Sequence, residues 1–208
     1  MPLRALFGWG CVGRWNDVEA FGEAHNSLKV SDHMTQALAQ DQYSRVARWL
    51  HWVMGALIIT NLAAGLLHDI NADLIMPLHK ATGILILALA VLRIVWRMTH
   101  PAPAWPTAMA MWERATASFT HAILNALMIL IPMSGWVMSS ASRRPISFFG
   151  LFDVPKFNVI KDSMLAEISH EGHELMGFAM IALLIFHIAA ALRHHFVLKD
   201  GMMARMWR

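Results

Sequence analysis

Four histidines occur at spacings suited to holding flat, metal-centred rings between helices. His51 and His79 each lie near the start of an apolar run, and His173 and His187 share another. In a helix, the fourteen positions from His173 to His187 cover about 21 Å of axis and turn the side chain by only about 40°. The two side chains therefore share one helix face at two very different depths.

The residue four positions after each of these histidines is small. These residues are Gly55 after His51, Gly83 after His79, Gly177 after His173 and Ala191 after His187. Residues i and i+4 lie on the same helix face, so a flat macrocycle bound by such a histidine could lie against its helix. The pattern predicts axial ligation of haem iron.

The composition indicates one compact membrane unit. The chain has 208 residues, of which 57% are hydrophobic, and a mean hydropathy of +0.45, which is too apolar for an ordinary soluble domain. The basic residues cluster beside apolar runs instead of forming one stripe, so nucleic acid is not the expected partner. The single Cys11 excludes an intramolecular disulfide and a thiolate cluster.

Residues 1–41 differ from the rest of the chain. They mix polar and apolar residues and contain neither a long apolar core nor the features of a signal peptide. Two interpretations stay open. The segment is either a poorly ordered N-terminal extension, or the chain starts at Met34, directly before the first membrane run.

Four apolar runs have about the 20 residues that a membrane-spanning helix requires. Because lipid offers the backbone no hydrogen-bond partner, these runs should be helices. We predict an all-α fold, an integral membrane four-helix bundle that forms one domain over 42–208. The runs are Trp49–Leu67, about His79 to Met98, about Ser118 to Met138 and about His173 to Val197; breakers connect them at Asn71 to Pro77, Pro101 to Pro106 and Pro145 to Pro155.

The positions of the basic residues set the orientation of the spans. Arginine and lysine precede the first span, flank the link between the second and third, and follow the fourth. Such residues favour the cytoplasmic side, so we expect both termini in the cytoplasm. On that topology His51 and His187 lie at the inner depth, and His79 and His173 lie at the outer depth.

The depth match predicts two ligand pairs, His51 with His187 and His79 with His173, and therefore two stacked haems. Bis-histidine ligation leaves no open iron position, which suits electron transfer. The alternative is that each histidine only hydrogen-bonds to a neighbouring helix. We expect His121 to be an interfacial or hydrogen-bonding residue. His170, one turn before His173, is the main rival ligand.

From Gln42 to Arg208 the chain resembles the bacterial cytochrome b561 family of di-haem, quinone-linked membrane cytochromes. The resemblance implies that His51, His79, His173 and His187 ligate two haem b groups and that His121 does not. The matching stretches are Tyr43-Ser-Arg45 with His51-Trp52, Pro77-Leu-His79 through Gly83, Val91-Leu-Arg93 through Arg97 to Pro101, His121-Ala-Ile-Leu, Pro132-Met-Ser-Gly135, Phe148-Phe-Gly150, and His187 through Lys199-Asp200.

The resemblance also implies an inner-membrane oxidoreductase that links a small outer-face electron donor, with superoxide as one option, to ubiquinone. Basic residues of the third loop and Lys80 could attract an anionic donor, or they are simply solvated charges. Because quinone reduction consumes protons, His194 and His195 are candidates for proton handling. Interfacial anchoring is the alternative role for both.

Two other functions compete with this one. The chain could be a haem-bearing membrane anchor subunit of a larger dehydrogenase or hydrogenase, although its short loops favour a self-contained unit, with a homodimer left open. It could also be a metal transporter that uses the same histidines. That function predicts acidic or thiol ligands inside the spans, and the spans contain almost none.

Overall fold

The computed structural model describes residues 42–105 and 109–207. The expectations for residues 1–41, including the alternative start at Met34, lie outside the described residues. So do Pro106 and Arg208.

The described residues form a bundle of four long helices: α1 (Arg45–Leu66), α2 (Ala72–Thr99), α3 (Met111–Ser140) and α4 (Met164–Leu192). Each is long and apolar enough to cross a membrane. At most 17% of their most apolar stretches is buried within the protein, so most of that surface requires lipid as its solvent. The predicted all-α membrane bundle is confirmed.

The helices extend beyond the apolar runs because polar caps, and not hydropathy, determine where they begin. The Asn71 side chain accepts a hydrogen bond from Leu74 N, so α2 starts at Ala72 and the stretch up to Pro77, which we expected to be a connection, is helical. Ser163 caps α4 in the same way, and α4 starts nine residues before His173. The predicted starts of these two spans were wrong.

Each helix packs on the next one along the chain, in an up-and-down order. All four contribute to one buried cluster, which consists of Met54, Ala90, Leu127, Met128 and Met180. This cluster lies between the two ends of the bundle and separates the two groups of histidines described below.

The two ends of the bundle have different connections. At the end called here the hairpin end, a 3₁₀ turn (His68–Ile70) joins α1 to α2, and the α3–α4 loop forms a small antiparallel hairpin of β1 (Ser147–Phe148) and β2 (Phe152–Asp153). This hairpin was not expected in an all-α fold. The opposite end, called here the terminal end, holds the start of α1 and the end of α4.

The C-terminal segment folds back on the terminal end. The last turn of the fourth span is a π-helix, Arg193–Leu198, and the short helix α5 (Ala204–Trp207) follows. Between them the chain reverses at Lys199 and Gly201, which have positive φ angles of 51° and 74°. Trp52 Nε1 then donates to the carbonyl of Met206 over 2.9 Å.

Candidate functional site

The structure brings the four histidines together as two pairs, one at each end of the bundle. At the terminal end the ring centroids of His51 and His187 lie 6.2 Å apart, with their planes at 53°. At the hairpin end those of His79 and His173 lie 6.0 Å apart, at 80°. These are the pairs that the depth argument predicts. Their role as ligands stays a prediction.

The spacing within each pair suits one metal held between two imidazoles. A metal–imidazole nitrogen bond is about 2 Å long, and the ring centre lies about 1 Å behind the nitrogen, so two rings on opposite sides of one metal have centroids about 6 Å apart. The observed centroid distances of 6.2 and 6.0 Å agree with this value. Each pair could therefore hold one metal between its two imidazoles.

Both histidines of the hairpin-end pair rest against a glycine of the neighbouring helix. A Cβ added to Gly65 of α1 would lie 3.2 Å from Cε1 of His79. One added to Gly135 of α3 would lie only 2.9 Å from Cε1 of His173. No side chain other than that of glycine fits at Gly135 without moving the ring. We call these two glycines the ring seats.

The same two rings are also fixed by backbone hydrogen bonds. His79 Nδ1 lies 3.0 Å from the carbonyl oxygen of Asn61, and His173 Nδ1 lies 2.9 Å from that of Ile131. Each carbonyl lies four residues before the ring seat on the same helix. Because a carbonyl oxygen can only accept, Nδ1 carries the proton in both rings, and the lone pair of the neutral imidazole is on Nε2.

The terminal-end pair has no such arrangement among the described residues. The Nδ1 atom of His51 is buried without a hydrogen-bond partner. The ring of His121 lies edge-on to that of His187, with centroids 5.3 Å apart. The expectation for His121 did not include this proximity, because sequence spacing does not fix the rotation of α3 about its axis.

The small residues four positions after the histidines border open space. An added Cβ would meet nothing within 4 Å at Gly55 or Gly177, and at Gly83 only the Asn61 amide at 3.8 Å. Gly83 and Gly177 line a cavity of about 550 Å³ that His79 and His173 also line. Space for a ligand therefore adjoins the hairpin-end pair.

One cationic residue of α2 accompanies each pair. Lys80, next to His79, lines the cavity. The guanidinium of Arg93 is within electrostatic range of His51 and of His187. Arg144, which is within electrostatic range of Lys80, lies 3.8 Å from the Asp73 carboxylate, and both side chains are strongly exposed, so water weakens this ion pair.

The two candidates for proton handling have different surroundings. His194 is buried in the π-helical turn and hydrogen-bonds through Nδ1 to the Asp200 carboxylate. His195 is exposed and packs edge-on against Phe196. Single π-turns within helices are frequent at functional sites. Burial by itself raises the pKa of the Asp200 carboxyl group. The hydrogen bonds from His194 and from the Met202 amide lower it by more, so the pKa lies below the ordinary value.

The rival ligand His170 lines the same cavity as His79 and His173 but is not one of the two facing rings. It is exposed, and its Nδ1 lies 4.0 Å from the neighbouring Glu171 carboxylate. Within the described residues, no group of three or more His, Cys, Asp or Glu side chains is arranged to hold a metal ion directly.

The sequence analysis did not identify the ring seats Gly65 and Gly135 as site residues. A glycine within a membrane helix often marks a position where a neighbouring helix approaches closely, and this is the sequence feature that could have indicated them.

Comparison with known proteins gives the family. The prokaryotic cytochrome b561 family model matches residues 42–208. Cytochrome b561 homolog 2 of Escherichia coli (strain K12) is 30% identical over 172 residues, which cover 80% of this chain and 91% of that protein. Cytochrome b561 homolog 1 of the same organism is 26% identical over 174 residues, 80% of this chain and 97% of that protein.

A third relative is named for an activity. The probable superoxide oxidase CybB of Yersinia pestis is 26% identical over 169 residues, which cover 79% of this chain and 95% of that protein. The family model spans all four membrane helices and both histidine pairs. The chain therefore belongs to the prokaryotic cytochrome b561 family, as a multi-pass inner-membrane protein of electron transfer that uses haem b.

Proposed function

We propose that the protein is a di-haem cytochrome that carries electrons across the membrane from a small outer-face donor to ubiquinone. The observation that carries the proposal is the pair of facing imidazoles at each end of the bundle, with centroids 6.2 and 6.0 Å apart. His51 and His187 would hold one haem b, and His79 and His173 the other.

Three features of the described residues fit this cofactor. The ring spacing matches a shared metal. Open space lies beside Gly55 and Gly177, where a flat ring would need it. The hydrogen bonds of Nδ1 in His79 and His173 leave the lone pair of each ring on Nε2, where an iron would need it.

Each histidine pair would hold a haem, and the haem would supply a one-electron carrier. The chain supplies the rest. The four histidines fix the depth of the two sites, the ring seats fix the orientation of the hairpin-end imidazoles, and the apolar core around Met54 excludes water between the sites.

The hairpin end would face outward. Arg45, Arg48, Arg97 and Arg193 all belong to the terminal end, and such residues favour the cytoplasmic side. Both termini would then be cytoplasmic. The His79–His173 pair would be the entry site for electrons, and the His51–His187 pair the exit site.

Superoxide is the proposed donor because basic side chains lie in and near the cavity at the hairpin end. Lys80 lines this cavity, and Arg144 and Lys156 lie within electrostatic range of its ammonium group, so an anion would be drawn toward His79 and His173. The relative named as a probable superoxide oxidase supports the same donor. Two superoxide ions would each give up one electron and become O₂. One ubiquinone would take up both electrons and two protons and become ubiquinol.

His194 and His195 are the candidates for supplying those protons at the terminal end. His194 has an acidic partner, Asp200, within hydrogen-bond distance, and a histidine–carboxylate pair can pass on a proton near neutral pH. The double change His194→Ala and His195→Ala should slow quinone reduction while the haem spectra stay unchanged. If quinone turnover is also unchanged, the assignment is wrong.

Proteoliposomes test the whole function. Purified protein is reconstituted with ubiquinone, superoxide is generated outside, and ubiquinol is measured by its absorbance. We expect ubiquinol to form in the intact protein, and to form neither in His173→Ala nor in His187→Ala. Equal rates in all three would refute transfer through the pairs, and co-purification of a catalytic subunit would support the anchor-subunit alternative. Sizing of the purified protein would test for a homodimer.

A further inference from the structure

The two histidine pairs differ in how their imidazoles are hydrogen-bonded. At the hairpin end both Nδ1 atoms donate to backbone carbonyls, those of Asn61 and Ile131. At the terminal end the Nδ1 atom of His51 is buried without an acceptor. The bundle therefore places two chemically identical side-chain pairs in two different electronic environments.

A hydrogen bond from Nδ1 to a carbonyl makes an imidazole a more basic ligand. A more basic ligand stabilises the ferric form of a bound haem relative to the ferrous form, and second-shell hydrogen bonding is one of the means by which proteins set haem potentials. On this ground the hairpin-end site should hold an electron less strongly than the terminal-end site.

Fixed charge does not reverse this order. Each pair has one cation of α2 nearby, Lys80 at the hairpin end and Arg93 at the terminal end. Each of these has further basic neighbours: the exposed Arg144 and Lys156 near Lys80, and Arg97 near Arg93. A cation near either site favours the reduced form there. Lys80 borders an open cavity, where water screens its charge more than that of Arg93.

We infer that the His79–His173 site has the lower reduction potential and the His51–His187 site the higher one, so that electrons pass downhill from the hairpin end to the terminal end. The inference rests on the proposed function, because it requires one haem at each pair. It goes further by assigning a direction to the transfer from the hydrogen bonds of the ligands.

The ring seats act as positioning residues for the hydrogen bonds of His79 and His173. Gly65 and Gly135 allow the rings of His79 and His173 to approach so closely that Nδ1 reaches the carbonyl one helical turn before the glycine. A methyl group at a seat would push the ring away from its acceptor. Gly65 is the milder case, since its added Cβ would meet Cε1 at 3.2 Å.

The test is an equilibrium redox titration of the purified di-haem protein, followed by its optical spectrum. We expect two unequal waves in the unmodified protein. His173→Ala should retain only the higher wave, and His187→Ala only the lower one. If His173→Ala instead retains the lower wave, the order is the reverse of that inferred here.

Gly65→Ala keeps the test decisive even if the histidine variants do not fold. We expect it to raise the midpoint potential of the lower wave by about 59 mV, which corresponds to about a tenfold change in the one-electron equilibrium constant. One low-spin ferric signal in electron paramagnetic resonance should change as well. The higher wave should stay in place. The matched control is Gly172→Ala, whose added Cβ meets only the Met176 methyl group at 3.9 Å; it should move neither wave.

A shift of the higher wave in Gly65→Ala, or of neither wave, would overturn the inference. Failure of the inference is distinct from failure of the proposed function. Two low-spin haems per chain with equal or reversed potentials would leave the di-haem assignment intact and remove the direction. Fewer than two haems would contradict the assignment itself.

Discussion

The substitution Gly135→Ala tests whether the closest contact in the structure matters for cofactor binding. The added Cβ would lie 2.9 Å from Cε1 and 3.1 Å from Nδ1 of His173. Ordinary contact begins at 3.4 Å, so the ring must retreat by at least 0.5 Å, the difference between 3.4 and 2.9 Å. The retreat would lengthen the 2.9 Å hydrogen bond from Nδ1 to the Ile131 carbonyl.

The size of the effect follows from two contributions. Forcing a methyl group into a packed site costs about 1–3 kcal/mol, and losing the hydrogen bond costs about 1 kcal/mol. The better helix propensity of alanine cancels, because α3 is helical with and without haem. The sum of about 2–4 kcal/mol corresponds to about 30- to 900-fold weaker binding of one haem.

The assay is haem retention per chain in detergent at increasing dilution. Gly135→Ala should lose one haem of the two first, and Gly65→Ala should show a smaller effect because its contact is 3.2 Å. Gly172→Ala serves as the control and should retain both haems. If Gly135→Ala retains haem as well as Gly172→Ala does, the ring-seat argument is wrong.

Three further predictions concern other residues. His121→Ala should keep two haems per chain while His187→Ala keeps one, because the proposed ligand pair at the terminal end is His51 with His187 and His121 is only a neighbour of His187; quantified haem checks this. Raising the salt concentration should slow superoxide oxidation, and Lys80→Gln should weaken that dependence, because screening acts on the attraction of the anion; initial rates at several ionic strengths check this. The pKa of Asp200 is lowered in the folded protein despite its burial, chiefly by its hydrogen bond with His194. Its contribution to stability is therefore present above the unfolded pKa and lost as the pH falls through the folded pKa. Thermal unfolding at acidic pH should show this loss, and Asp200→Asn should flatten it.

The bundle and the depth of its histidines could be predicted because both depend on distance along the chain. An apolar run of sufficient length must be a helix in lipid, and each residue adds a fixed rise. The sequence therefore predicts that His173 and His187 lie toward opposite ends of the bundle. The helix starts were not predictable from hydropathy, since the caps Asn71 and Ser163 are polar.

The contacts between helices could not be predicted, because they depend on how each helix is rotated about its own axis. The expectation placed the important glycines four residues after the histidines, on the same helix. Gly55 and Gly177 do border open space, but the glycines in contact with the rings, Gly65 and Gly135, lie on neighbouring helices. The proximity of His121 to His187 escaped prediction for the same reason.

The measurement that tests the central claim most directly is a reduced-minus-oxidised spectrum of the purified membrane protein with haem counted per chain. The account predicts two low-spin b-type haems for each chain. A single haem would contradict the pairing of the four histidines into two sites. A colourless protein would contradict haem binding and favour the metal-transporter alternative.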